Sequence, residues 1–346
     1  RRSSDLTRMI LDDPGLESVG AVIFDEYHER SLDADLGLAL ALDAKHALRE
    51  DLRLLVMSAT LDGARVAELL GCAPVIRSEG RTFPVETLYV PRDPALGIED
   101  QMAKVILQAL RSAHGSLLAF LPGQREIRRV ADRLAERLDD PRIKVVPLHG
   151  GLDLRAQDEA IAPAEPGCRK VVLATAIAET SLTIEGIRIV VDSGLARVPR
   201  YEPGVGITRL VSVRASRASV DQRRGRAGRI EPGICYRLWE EPATASFPAH
   251  AEPEIRNADL SGLLLDCAAW GETDPRRLAW LEPPAEAPLA AARTEMQALG
   301  ALDADGRVTE SGRRLRMLPL PPRLARMVLV AAELGAANEA AEIAAI

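Results

Sequence analysis

Short apolar runs alternate with amphipathic stretches over roughly the first 200 residues, the rhythm of a parallel sheet covered by helices. The runs Gly20 to Phe24, Leu52 to Met57, Ser116 to Leu121, Lys144 to Leu148, Lys170 to Ala174 and Ile187 to Val191 are candidate strands. From Glu126 to Leu138, Ile127, Val130, Ala131, Leu134 and Leu138 recur at helical spacing and leave the charges on the opposite, solvated face. The proline-flanked step Pro91-Arg-Asp-Pro94 separates two blocks that each restart this rhythm, which predicts two α/β domains. A second break falls near Phe247 to Pro253, and helices follow. Leu260, Leu263, Leu264, Cys267 and Ala268 mark one helix face, and Leu289, Ala292, Met296 and Leu299 another. Leu302 to Thr309 then carries an Asp-Gly turn between apolar stretches, a hairpin signal. Helix, helix and hairpin together predict a winged-helix module. Pro319, Pro321 and Pro322 end it, and a further helix is expected from about Arg323.

Composition narrows the class. With 346 residues, 47% hydrophobic and 27% charged, the chain has room for two or three packed domains. No apolar run approaches the roughly 20 residues of a membrane span, and no signal segment opens the sequence. Cys72, Cys168, Cys235 and Cys267 form no C-x-x-C pair, which argues against a zinc site or a disulfide framework. A reducing, cytoplasmic location is expected. Arg1-Arg-Ser-Ser at the start and an open helical pattern up to Ile346 predict a piece of a longer protein.

The net charge of −7 hides an uneven distribution. Between Arg197 and Arg237 stand ten arginines against Glu202, Asp221 and Glu231. Such a run is either a solvated face or a polyanion-binding segment.

Asp25 and Glu26 sit at the C-terminal end of the first candidate strand, where open parallel sheets bind ligands. A hard cation such as Mg²⁺ takes one or two carboxylates plus phosphate oxygens, a role for Asp25. Glu26 can then orient and deprotonate a water. The pair equally suits a helix N-terminus, and alone it leaves both uses open. Met57-Ser-Ala-Thr-Leu61 ends the next strand in small hydroxyl residues. Further on, Gln222-Arg-Arg-Gly-Arg-Ala-Gly-Arg229 spaces Arg226 and Arg229 three apart, on one helix face. Arginine suits a transferring phosphoryl group, and a glutamine beside it can position water.

These residues resemble the DEAH-box group of superfamily 2 helicases, and within it the bacterial HrpB-type ATP-dependent RNA helicases. Asp25-Glu-Tyr-His28 resembles the defining box, Ser58-Ala-Thr60 motif III, Ala174 to Ile184 motif V, and Gln222 to Arg229 motif VI. The resemblance implies two RecA-like lobes, with residues 1–92 the C-terminal part of an incomplete first lobe and 93–250 the second. Residues 251–318 would be the winged helix, and 319–346 the start of a truncated helical bundle. It implies ATP and Mg²⁺ held by Asp25, Glu26, His28, Ser58, Thr60, Thr183, Glu185, Gln222, Arg226 and Arg229. Glu26, Gln222, Arg226 and Arg229 would be catalytic, Asp25 the metal ligand, and His28 a coupler to motif VI. RNA would be held mainly through its backbone, without sequence preference, by Arg8, Gly123, Thr175, Arg200 and Arg209. Val198 to Leu210 would be the family's strand-separating hairpin, on a motor moving 3′ to 5′. A non-catalytic nucleic-acid-binding protein, or a DNA-directed helicase, is the competing expectation.

Two departures stand out. Ala176 occupies the place where motif V commonly has Asn, and no G-x-x-x-x-G-K-[ST] phosphate loop occurs in the sequence. Without that loop's backbone N–H groups and lysine, the 346-residue chain alone is expected to show no RNA-stimulated ATPase.

Overall fold

The computed structural model describes residues 3–59, 63–78, 80, 83–179 and 182–345. Along the chain run α1 (Ser3–Asp12), β1 (Ala21–Phe24), α2 (Leu32–Ala47), β2 (Arg53–Val56), α3 (Gly63–Leu69), β3 (Val85–Tyr89), α4 (Ile98–Ser112), β4 (Ser116–Phe120) and α5 (Gln124–Ala135). Then come β5 (Ile143–Leu148), α6 (Leu154–Ile161), β6 (Arg169–Ala174), β7 (Ile187–Asp192), β8 (Leu195–Glu202), β9 (Ile207–Arg214), α7 (Arg217–Gly225) and β10 (Gly233–Arg237). Five helices close the sequence: α8 (Ser261–Trp270), α9 (Glu286–Ala298), α10 (Glu310–Arg316), α11 (Pro322–Glu333) and α12 (Ala337–Ala344). Among the described residues no helix is long and apolar enough to cross a membrane.

The chain divides into two compact units: residues 1–76, 199–209 and 252–346 form the first, and 77–198 with 210–251 the second. The division at Ile76 and Arg77 does not coincide with the expected boundary at residue 92. The cause is β3, which pairs in parallel with β10 from Val85 opposite Gly233 to Tyr89 opposite Arg237. Pro91 to Pro94 is therefore a strand-to-helix loop inside the second unit, tied down by Gln101, whose amide donates to Pro91 O at 2.8 Å and accepts from Asp93 N at 3.0 Å.

The second unit is built on a six-stranded parallel sheet of order β3-β10-β7-β4-β6-β5. The central strands are apolar on both faces, as a sheet covered on both sides requires. Leu117, Ala119, Val171, Leu173, Ile189 and Val191 pack with α4 and α5, whereas Leu118, Phe120, Val172, Ala174 and Val190 form the other core. Pro147 lacks an N–H to donate, and it lies in β5, at the sheet's edge.

In the first unit β1 and β2 form a two-stranded parallel sheet, from Ala21 opposite Arg53 to Phe24 opposite Val56. Val22 and Phe24 are buried, while Ile23 (58% exposed) and Leu55 (49%) face away from the core. That core joins α1 and α2 to α8 and α9 through residues such as Ile10, Leu38, Leu40, Leu264 and Met296. The expected winged-helix hairpin is reduced to one antiparallel bridge, Leu302 to Val308. Asp303 closes its turn, its Oδ1 accepting the N–H groups of Asp305 and Arg307 at 2.9 and 2.8 Å.

Candidate functional site

In the first unit the acidic turn is fastened to the end of β2. Met57 N donates to Phe24 O at 2.7 Å, and Tyr27 N donates to Met57 O at 3.1 Å. Tyr27 is 1% exposed and edge-on to Phe24, so the turn is anchored at its centre. Asp25 is exposed, and its Oδ1 accepts the Glu26 N–H at 2.9 Å. Among the described residues it has no cationic partner, which leaves a carboxylate oxygen available for a hard cation. No group of three or more His, Cys, Asp or Glu among the described residues could hold a metal by itself. Magnesium that shares phosphate oxygens needs only one or two carboxylates, so Asp25 fits that use.

Glu26 has φ 49° and ψ 36°, in the left-handed region. For a residue with a Cβ this costs on the order of 1–2 kcal/mol. His28 Nδ1 lies 3.4 Å from Glu26 Oε2 and also accepts the Ala59 N–H at 3.4 Å. Accepting from Ala59 needs a bare Nδ1, and bonding Glu26 needs a protonated one, so the imidazole can serve only one of them at a time. Ser58 Oγ is buried with no hydrogen-bond partner among the described residues. Thr60 lies outside the described residues. Arg8 is exposed on α1, and its charge acts on Asp266 of α8, whose carboxyl burial raises to about 6 against the opposing pull of Arg316 and Arg8.

In the second unit Gln222 is half-buried in α7, but that helix ends at Gly225 and Arg226–Gly228 is a 3₁₀ turn. The single α-helical face expected for Arg226 and Arg229 is therefore absent, and the two differ in setting. Arg226 is buried, with Nε and Nη2 donating to Glu179 O and Nη1 to Leu182 O at 2.7 Å. Arg229 is exposed, and its Nη1 donates to Thr183 Oγ1 at 2.7 Å. Both arginines are thus held by the segment that follows β6, which carries Thr183; Glu185, two residues on, is exposed. Gly228 is needed for this close approach, since a Cβ there would meet Phe83 O and Val85 Cγ2 at 2.6 Å.

Sequence reasoning missed Arg223. Its Nε donates to Glu179 Oε2 and its Nη1 to Asp192 Oδ1 and Leu195 O, all at 3.0 Å. Asp192 is fully buried, so burial pushes its carboxyl up while Arg223 opposes the shift. The signal available was weak: Val220, Arg223 and Ala227 fall at helical spacing, and all three are buried.

Gly123 and Thr175 both lie at the C-terminal edge of the six-stranded sheet. Gly123 caps α5 in extended conformation, and a Cβ there would collide with the Arg197 guanidinium, itself 3.1 Å from Glu126. Thr175 N donates to Leu148 O at 3.2 Å, and Leu121 N to Ala174 O at 2.8 Å, which joins three strand ends. The next residue after Leu148 is His149, buried and not singled out from sequence, whose Nδ1 accepts the Gly151 N–H at 3.2 Å.

Arg200 and Arg209 are exposed in the tip of the β8–β9 hairpin, which belongs to the first unit, and Arg209 is 3.5 Å from Glu202. There Tyr201 N donates to Asn257 O at 2.8 Å, and Arg323, held by Glu295 at 2.9 Å, packs under Gly206. The arginine-rich run is only partly a surface: Arg223, Arg226 and Arg237 are buried, and Arg224 bonds Thr87 Oγ1 at 3.0 Å. A cavity of about 370 Å³ lined by Leu107, Leu110, Arg137, Arg142 and Arg169 opens at the opposite, N-terminal edge of the sheet, away from these residues.

Residues 100–231 match the helicase conserved C-terminal domain family, and residues 292–320 match the winged-helix helicase associated domain (HA2). The chain is 50% identical over 341 residues to the ATP-dependent RNA helicase HrpB of Escherichia coli, covering 99% of this chain and 42% of that protein. It is 37% identical to a pre-mRNA-splicing factor ATP-dependent RNA helicase of Schizosaccharomyces pombe, covering 99% of this chain and 30% of the relative. The crystal structure of the Escherichia coli DEAH/RHA helicase HrpB superposes with a TM-score of 0.92 at 50% identity, over 99% of this chain and 44% of that one. The chain therefore spans less than half the length of these relatives.

Proposed function

Because the chain belongs to the DEAH-box helicase family, we propose that it is part of an ATP-dependent RNA helicase, in which RNA-stimulated nucleotide hydrolysis drives 3′ to 5′ movement along a strand and separates duplexes. The observation that carries this is the setting of motif VI, whose Arg226 and Arg229 are both held by the segment bearing Thr183. An exposed guanidinium on a hydroxyl, with a second guanidinium anchored on the same segment, suits a polyphosphate and is more than a plain nucleic-acid-binding surface would require. Asp25 would hold magnesium, which neutralises charge building on the phosphates when bound. Glu26 would orient and deprotonate the attacking water, with His28 and Ser58 beside it. Gln222 would help place that water, and Arg226 and Arg229 would stabilise the charge of the transferring phosphoryl group. Thr183, Glu185 and, from sequence, Thr60 would approach the nucleotide.

The RNA backbone would be met by Thr175 and by the backbone N–H groups at the start of α5, which follow Gly123. Arg200 and Arg209 on the hairpin, and Arg8 on α1, would add phosphate contacts. The protein would act in the cytoplasm on single strands or on duplexes with a single-stranded tail.

The test is ATP hydrolysis by the full-length protein, with RNA or with DNA of matched length. Stimulation by RNA that disappears in Glu26→Gln is the expected result. RNA binding without turnover would overturn the enzymatic assignment in favour of a binding protein, and stimulation by DNA alone would move the motor to DNA.

A further inference from the structure

The acidic turn has a mount that sequence motifs do not assign. Glu26 and Arg30, with φ 49° and 50°, are both left-handed and bracket the single turn Tyr27–Glu29. Neither is glycine, and such conformations persist only where the surroundings over-determine them. The surroundings here converge on Arg30. Its Nε and Nη2 donate to Asp35 at 3.1 Å, its Nη1 is 3.7 Å from Glu282, and its guanidinium lies 5.8 Å from the Tyr27 ring centroid. Arg30 and Asp35 are both buried, so the pair is shielded from solvent. Glu282 also meets Arg256 at 2.8 Å and Arg65 at 3.8 Å, so its charge is shared among three arginines.

The backbone around Arg30 is held from the far end of the sequence. Glu254 N donates to Arg30 O at 3.0 Å, and the Glu254 Oε2 accepts the Leu32 N–H at 2.8 Å. Leu32 opens α2, where first-turn N–H groups have no partner within the helix. Glu254 thus grips the chain on both sides of Ser31, the N-cap of α2. All these residues lie in the first unit.

We infer that Glu254 and the Arg30–Asp35 pair are positioning residues for the Glu26 carboxylate, so that the segment leading into the winged-helix helices sets the aim of the acidic turn. None of them needs to touch nucleotide or RNA. They act by fixing the two left-handed residues between which the turn is strung. The inference rests on the role proposed above for Glu26.

Glu254→Ala removes the acceptor for Leu32, and Glu254→Gln keeps a side-chain carbonyl that can replace it. In the full-length protein, Glu254→Ala is expected to lower kcat of RNA-stimulated ATP hydrolysis at least tenfold. Affinity for a non-hydrolysable ATP analogue should stay within about twofold, and Tm within a few degrees. Glu254→Gln should recover most of kcat. Hydrogen exchange of the peptide spanning Phe24 to Leu32 should quicken in Glu254→Ala, with the protection of α8 and α9 unchanged. An unchanged kcat overturns the inference. So does a fall of kcat, affinity and Tm together that Glu254→Gln fails to restore, because that pattern belongs to a general packing defect. Unchanged exchange overturns it without reference to activity, whereas a wild-type protein without turnover refutes the role of Glu26 itself.

Discussion

Replacing Arg223 by Met probes the buried charge network of the second unit. Arg223 is 1% exposed, and its guanidinium carbon lies 5.1 Å from the Phe120 ring centroid, a place a methionine can fill. Glu179 keeps partial access to water, but Asp192 is 0% exposed and would lose its cation, its carboxylate keeping, among the described residues, only the Gly194 N–H at 2.9 Å. An unpaired buried carboxylate escapes by taking a proton. Near pH 7 that proton costs about 4 kcal/mol, from roughly three units above the ordinary aspartate value at about 1.4 kcal/mol each. The carbonyl of Leu195, left without its donor, adds about 1 kcal/mol. A loss of about 3–5 kcal/mol is therefore expected, in line with breaking a buried pair by removing one partner. The pH dependence follows in sign. In the variant the folded carboxyl titrates above its unfolded value, so the folded state holds the extra proton and stability rises as pH falls. Near pH 5 the penalty should shrink by at most about 2–3 kcal/mol, because burial already raises the wild-type Asp192 carboxyl in the same direction. Urea unfolding near both pH values measures this, and Asp192→Asn added to the variant should restore most of the loss near pH 7. A loss under about 1 kcal/mol, or an equal loss at both pH values, would refute the reasoning.

Arg226→Ala and Arg229→Ala in the full-length protein should each lower turnover at least about a hundredfold while leaving RNA binding largely intact. They should part in stability, with Arg226→Ala lowering Tm and Arg229→Ala hardly moving it, because only Arg226 is buried against carbonyls. Gly228→Ala should destabilise by about 1–3 kcal/mol in urea unfolding, since its Cβ meets the Phe83 carbonyl and Val85 at 2.6 Å. Burial raises the Asp266 carboxyl to about 6, with Arg316 opposing, so the wild type should lose stability as pH rises from the ordinary aspartate range to about 6. Asp266 is a quarter exposed, which holds the effect to about 1–2 kcal/mol. Asp266→Asn should remove that slope in a series of Tm values against pH.

The strands of the parallel sheet were legible where both faces are buried, because β4, β6 and β7 are nearly unbroken apolar runs. Two strands were not. In β3 Glu86 and Thr87 interrupt the apolar positions, and β10 forms the last five residues of the arginine-rich segment, ending in Arg237. Missing β3 also misplaced the boundary, since the prolines at 91 and 94 punctuate a loop within one unit as well as they would a linker. Motif positions could be read because residue type and spacing carry them. The left-handed backbone of Glu26 could not, since nothing but glycine or asparagine advertises that conformation. Nor could sequence tell which arginines of the run are buried, because that depends on Glu179 and Asp192 arriving from other strands and loops.

The first unit is discontinuous: the core that holds Ile10, Leu38 and Leu40 is completed by Leu264, Met296 and Ala325. On a ribosome adding about 5–20 residues per second, the early segment waits roughly ten seconds or more with its apolar side uncovered. The second unit can mature first in that interval. A nascent chain stalled before α9 should therefore recruit holding chaperones to α1 and α2, and release them once translation passes Met296.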